Sequence, residues 1–362
     1  MKAYIIEKKK LERNIELLKK RMGDTVIWGV LKGDGYGVGA VELAEYLAAG
    51  GIDHFAVCDL REAQALRDAG FTENPILMMR GTCEEGELEE LLDLNVTLTI
   101  SSLADAAAIE AVAARRSTLA EGHLKIDTGM GRFGFEPEEL DQILRVYTGF
   151  EHVAVTGIYT HFHSAFDRKP TQAQFTRFQG TLEAIRAAGF ETGMVHCCNS
   201  TAAWRYGEMR CDAVRIGSAL LGRVGWAARA GLSTLGYCQA PLEEVRTLPA
   251  GHTVGYAQGW KAKRDTPIGV VGVGWGNGFG VDRGFDLWRG RDCLRGMGRY
   301  LKAWMQKKSL YVTIQGKKCR VLGHVGMVNL VVDLTGLDCE PGEPVIVPIN
   351  PVLAKGLDVV FQ

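Results

Sequence analysis

Along the first 230 or so residues the apolar positions alternate between two rhythms. Short runs rich in β-branched and aromatic residues recur at 25–31, 54–58, 75–79, 96–100, 122–126, 153–161, 194–198 and 213–216, the composition of buried strands. Between them apolar residues return every three or four positions, the helical spacing, for example at 40–47, 60–69, 84–92, 103–115, 137–147, 171–188 and 201–206. Eight such units predict an α/β architecture, a closed (β/α)8 barrel of the TIM type, with a doubly wound parallel sheet as the alternative. The rhythm then changes. Short alternating runs at 242–248, 268–273, 310–314, 317–322, 328–332 and 344–347, punctuated by glycine and proline, predict a mainly antiparallel β domain. The expected domains are 1–232 and 233–362, the second with a basic insertion at about 284–308.

That insertion breaks the strand pattern. RGRDCLRGMGRYLKAWMQKK, residues 289–308, places Leu294, Met297, Leu301, Trp304 and Met305 at spacings that fit one helix face. Glycines inside it weaken a helix. A solvated surface insertion, a docking or lid helix, and a membrane-surface segment all remain open.

Composition narrows the function classes. The net charge of -1 argues against nucleic acid as a partner. The nine cysteines are odd in number and form no C-x-x-C pair, and Cys197 and Cys198 are adjacent. That usage fits a reducing, cytoplasmic compartment. The start MKAYIIEKKKLERN has no apolar core of signal-peptide length, so no leader is expected. No apolar run approaches the roughly 20 residues of a membrane helix, and no membrane partner is expected.

The candidate chemistry sits where the barrel strands end. Lys32 follows the first strand and opens a glycine-rich turn, LKGDGYGVG, with Tyr36 four residues on. A lysine at the end of a buried strand is expected to be desolvated, which lowers its pKa and makes its amine nucleophilic. Arg80 closes the third strand, and Lys125, Asp127 and Arg132 follow the fifth. His161 and His163 end the sixth, His196, Asn199 and Ser200 the seventh, and Arg215 lies in the eighth. In a barrel all of these converge on the carboxyl-terminal mouth, where ligands bind. Each alone has an ordinary reading as a cap or a satisfied polar group; together they indicate a site.

The motifs LKGDGYGVG, KIDTGMGRFGF, THFHSA, HCCNSTAA, VRIGSALLG, GHTVGYAQGW and VGVGWGNGFG, in this order along nearly the whole chain, resemble the fold-type III, pyridoxal-phosphate-dependent alanine racemases. The resemblance implies a barrel followed by a β domain. It implies pyridoxal 5′-phosphate as cofactor, with Lys32 as the Schiff-base lysine. Tyr36, Asn199, Ser200 and the backbone around Gly217 and Ser218 would hold the phosphate. His161 would sit against the ring and His196 nearby, and Arg215 would face the pyridine nitrogen. Tyr256 matches a second catalytic base, donated in the family by the other subunit of a homodimer with shared active sites. Arg132 would bind Tyr256 or the substrate carboxylate, Lys125 matches a lysine that many members carbamylate, and Met327 matches a substrate contact across the dimer. The implied reaction is two-base racemisation of a small amino acid, alanine first. Cationic Arg132 and the histidines are expected to lower the Tyr256 pKa from the ordinary phenol value.

The sequence departs from the family at the substrate channel. Trp275 stands where a tyrosine is usual, Val328 replaces an aspartate after Met327, and Asn350 or Pro351 occupies the place of a further tyrosine. Serine or a broader set of amino acids is therefore an alternative substrate class. Other readings are a silent cofactor-binding regulatory protein, a related decarboxylase, and a zinc hydrolase using His161, His163, His196 and Asp127. The family resemblance implies no metal.

Overall fold

The structure, a computed structural model, describes residues 2–282 and 288–362. Its eight short parallel strands are Val26–Val30, His54–Val57, Ile76–Met78, Leu98–Ile100, Ala120–Lys125, Val153–Tyr159, Met194–Asn199 and Ala213–Ile216. Pairing joins the first strand to both the second and the eighth. A bridge between Leu77 and Thr97 joins the third to the fourth, so the sheet closes. The doubly wound alternative is therefore set aside. Most of these strands are almost wholly buried, because helices cover the outside and side chains fill the inside.

Local chemistry explains the helix starts. Asp59, Ser102 and Asp167 cap the helices Leu60–Asp68, Leu103–Arg115 and Arg168–Ala187 by accepting backbone N–H bonds. The last of these begins three residues before the expected 171 and takes Pro170 into its first turn, where a missing N–H costs nothing. An amphipathic helix, Lys8–Met22, precedes the barrel and buries Leu11, Ile15, Leu18 and Met22.

The other strands form a second unit. Thr266–Val271, Leu330–Asp333, Lys317–Leu322, Tyr311–Ile314, Pro344–Val347 and Tyr237–Leu248 pair antiparallel in that order, and the last pairs back to the first. The long strand Tyr237–Leu248 serves both neighbours by shifting register between Leu242 and Glu244. Ala3–Ile6 adds to it, with Asp358–Phe361 parallel on the outside. Residues 2–7 thus group with Gly236–Gln362, and the barrel unit is Lys8–Leu235. This differs from a barrel domain starting at residue 1, because four residues are too few to show a two-residue rhythm before the helix. The strand expected at 328–332 starts at Leu330, since Gly326 donates to the Asn329 carbonyl at 2.9 Å and turns the chain there. The basic segment forms the helix Gly290–Met305. Positions 284–287 of the expected insertion lie outside the described residues.

Candidate active site

The chain leaves the first barrel strand through an unusual turn. Gly33, Asp34, Gly35 and Tyr36 all have φ between +51° and +66°, a left-handed turn. That conformation costs roughly 1–2 kcal/mol for a residue with a Cβ, which explains the alternate glycines. The Glu62 carboxylate clamps the turn, accepting from the N–H groups of Asp34 at 3.1 Å and Cys58 at 2.9 Å. Asp34 in turn accepts from the Ala40 N–H at 2.9 Å. The expected desolvation of Lys32 is not met. Lys32 is exposed, because it is the first residue past the buried Leu31 and the turn carries it onto the rim.

Lys32, Tyr36, His161, Asn199, Ser200, Arg215, Gly217 and Ser218 line one cavity of about 240 Å³ at the carboxyl ends of the strands. Val30, Met79 and Thr201 complete the lining, and it contains no carboxylate. Burial, with the charge of Cys58 adding to it, raises the Tyr36 pKa, so its phenol is a proton donor at neutral pH. A Cβ on Gly217 would lie 2.1 Å from Tyr36 Oη, so only glycine leaves room for the phenol. Ser200 Oγ accepts from the Gly217 N–H at 3.1 Å. Asn199 caps the following short helix and donates to the Phe162 carbonyl at 3.3 Å. A larger groove of about 610 Å³ lies by Glu12, Lys19 and Tyr46, away from the strand ends.

Arg215 is 3% exposed. It donates to His196 Nδ1 at 2.7 Å, to the Thr160 carbonyl at 2.7 Å and to the carbonyls of His196 and Cys197 at 3.2 and 3.3 Å. It also lies 3.4 Å from His161 Nδ1. These partners are neutral acceptors. Burial lowers its pKa, yet a guanidinium stays charged. Because it can only donate, His196 Nδ1 must accept, and the proton of His196 sits on Nε2. That nitrogen is 2.9 Å from His123 Nδ1, which must therefore accept as well. Both rings are neutral: burial and then Arg215 hold His196 well below the ordinary value and His123 at about 4. His161 is likewise held well below it by burial and by Arg215. His123, His161 and His196 thus supply no positive charge to lower a phenol pKa, which narrows that expectation.

Lys125 is buried, with Nζ 4.3 Å from the centre of the Tyr159 ring. Burial, then Arg215 and Arg132, lowers its pKa to about 7. Arg132 is exposed, and its loop is shaped by Asp127, whose carboxylate accepts from the N–H groups of Gly129, Met130 and Arg132 at 2.8, 2.6 and 2.8 Å. His163 Nδ1 pairs with Ser164 Oγ at 2.7 Å. Among the described residues no three His, Cys, Asp or Glu side chains gather to hold a metal ion. The zinc set fails because Asp127 serves its own loop and His196 is tied to Arg215. Arg80 is not a site residue either; Glu87 and the Cys58 carbonyl hold it.

His123, Tyr159 and Glu62 were not singled out by the sequence. His123 could have been found, since strand alternation puts it on the same inward face as Lys125. Glu62 could not, because it acts from a helix on a turn nearly thirty residues away.

In the β unit, Tyr256 opens a short turn and is 80% exposed. Trp275 and Met327 are also exposed, and their segments are joined by bonds from Trp275 N–H to the Gly326 carbonyl and from Gly276 N–H to the Met327 carbonyl, at 3.0 and 2.9 Å. Val328 is exposed beside them. Asn350 caps the turn Pro351–Leu353.

Comparison with known proteins gives the same answer for both units. The family model "Alanine racemase, N-terminal domain" matches residues 6–224, and "Alanine racemase, C-terminal domain" matches residues 237–351. An alanine racemase of Methylacidiphilum infernorum is 30% identical over 346 residues, 94% of this chain and 81% of that protein. One of Desulforamulus reducens is 32% identical over 336 residues, 90% of this chain and 83% of its own. The solved alanine racemase of Clostridium difficile 630 superposes with a TM-score of 0.83 at 26% identity, covering 97% of this chain and 92% of that one. The chain belongs to the alanine racemase family.

Proposed function

We propose that this protein interconverts L-alanine and D-alanine, with pyridoxal 5′-phosphate as its cofactor. The observation that carries the reading is the cavity at the barrel mouth, where an amine, a phenol, hydroxyls and a buried guanidinium converge and no carboxylate intrudes. That donor set fits a phosphate dianion at one end and an aromatic ring beside Arg215 and His161. Tyr36, Asn199, Ser200 and the backbone at Gly217 and Ser218 would hold the phosphate. When bound, pyridoxal phosphate would supply an aldehyde for the substrate amine and an electron sink that makes the Cα proton acidic.

The protein's own residues then divide the work. Lys32 would anchor the cofactor and would hold or deliver the proton on one face of Cα. The partner subunit's Tyr256 does the same on the other face. Arg215 can donate but cannot give its proton away, so a ring nitrogen held against it would stay unprotonated and would withdraw electrons only as far as racemisation needs. Arg132 would bind the substrate carboxylate or the phenol opposite, the partner subunit's Met327 would contact the substrate, and Trp275 would stand at the neck of the substrate channel. The amine of Lys125, partly neutral at pH 7, meets the condition for carbamylation. A homodimer with shared sites is part of this reading; the exposure of Tyr256, Trp275, Met327 and Val328 supports it. So is a cytoplasmic location, supported by nine free cysteines.

The test is racemisation by the purified holoenzyme, with enantiomers resolved for L-alanine, L-serine and larger L-amino acids. D-alanine formed fastest is the expected result. Faster serine turnover would trace to Trp275, Val328 and the Asn350–Pro351 turn, since methylene-scale discrimination is worth only about 1–3 kcal/mol. Cofactor binding without any racemisation would refute the proposal in favour of a silent regulatory protein.

A further inference from the structure

The helix Gly290–Met305 turns its apolar side outward. Leu294, Met297, Leu301, Trp304 and Met305 are between 57% and 75% exposed, and Gly296 is the only fully buried residue among those described in the helix. An apolar face of this size on a sixteen-residue helix is not what a solvated surface insertion shows. Along one edge of that face run Arg291, Arg295 and Lys302, all exposed, at spacings of four and seven. Lys307 and Lys308 follow its end. From 289 to 308 the sole acidic residue is Asp292, which pairs with Arg289 at 2.7 Å and with Arg295 at 4.0 Å.

We propose that this helix docks the protein on an anionic lipid bilayer surface, lying in the plane of the interface. The apolar face matches the boundary between headgroups and acyl chains, and the basic edge matches acidic headgroups. Tyr300 and Trp304 are residue types that favour that depth. A protein partner with a plain apolar groove leaves the basic edge unmatched. A second copy of the helix brings like charges together. The bilayer satisfies both halves of the pattern.

The experiment is co-sedimentation of the full-length holoenzyme with vesicles of phosphatidylcholine, with and without about 30% phosphatidylglycerol, at low and high salt. Binding to the anionic vesicles at least ten-fold stronger than to neutral ones, and weakened by salt, is expected. Removing the basic edge (Arg291→Gln, Arg295→Gln, Lys302→Gln) should weaken it roughly 100-fold. The double variant Leu294→Gln, Leu301→Gln should lose at least ten-fold while keeping racemase activity and assembly mass. Absence of binding to anionic vesicles would overturn the proposal. So would binding indifferent to the apolar substitutions, which would make it simple charge adsorption. A changed assembly mass in the double variant would also overturn it, since the face would then be covered by a second copy.

Discussion

Replacing Lys125 by methionine should stabilise the protein near neutral pH, and the gain should fade as the pH rises. The amine is buried over the Tyr159 ring with Arg215 and Arg132 opposing its charge, and its pKa is lowered from 10.5 to about 7. The sign follows from proton counting. Between those two values the unfolded chain holds the proton and the folded chain does not, so the wild type gains stability with rising pH. Below 7 both states are protonated and the full penalty stands; above 10.5 it is gone. Each pH unit in the window is worth about 1.4 kcal/mol. Integrated from pH 7 to 9, where the folded amine passes from half to fully neutral, the change is about 2 kcal/mol. Denaturant unfolding of wild type and Lys125→Met, in buffers freed of carbon dioxide to keep the amine unmodified, measures the difference at both pH values. Methionine keeps the length of the side chain and its packing on the ring. A stability difference that does not change between pH 7 and 9 would refute the argument, because it would mean that Lys125 has an ordinary pKa in the fold.

The other expectations test different parts of the site. Gly217→Ala places a Cβ 2.1 Å from Tyr36 Oη, so the phenol must move; titration with pyridoxal phosphate should show at least ten-fold weaker binding, and unchanged affinity would remove Tyr36 from the phosphate cradle. Asp127→Ala releases three backbone N–H groups that shape the Arg132 loop; a loss of about 1–3 kcal/mol in kcat/KM is expected, and unaltered kinetics would make that loop irrelevant to substrate binding. His123 and His196 should keep neutral-ring NMR shifts down to about pH 5, given the lowered pKa values that burial and Arg215 impose; a transition for either near pH 6.5 would break the proposed tautomer chain.

The two-rhythm pattern made the barrel legible because parallel strands buried on both faces are nearly pure apolar runs, whereas a cap such as Asp167, which starts its helix three residues before the apolar spacing does, went unread. Residues at strand ends were legible for the same reason: once the strand is placed, Lys32, His161 and Arg215 follow. What escaped was contact between distant segments. The Glu62 clamp on the Lys32 turn, and the pairing of Ala3–Ile6 with Tyr237–Leu248, depend on tertiary neighbours that no local spacing records. The electrostatics was misread in one direction. Lys32 is the open amine and Lys125 the desolvated one, because Lys125 points inward two residues after His123 while Lys32 lies just beyond the last buried residue of its strand.

The most direct test of the central claim is complementation between two inactive variants. Lys32→Ala and Tyr256→Phe should each abolish or nearly abolish racemisation. If every site takes Lys32 from one subunit and Tyr256 from the other, mixing the two variants under conditions that exchange subunits creates dimers with one intact site. Alanine racemisation should then return to about a quarter of the wild-type level, because half the dimers are mixed and half their sites are whole. Activity that stays absent after proven exchange would contradict the shared two-base site, since it would mean that both groups act within one chain or that one of them does not act.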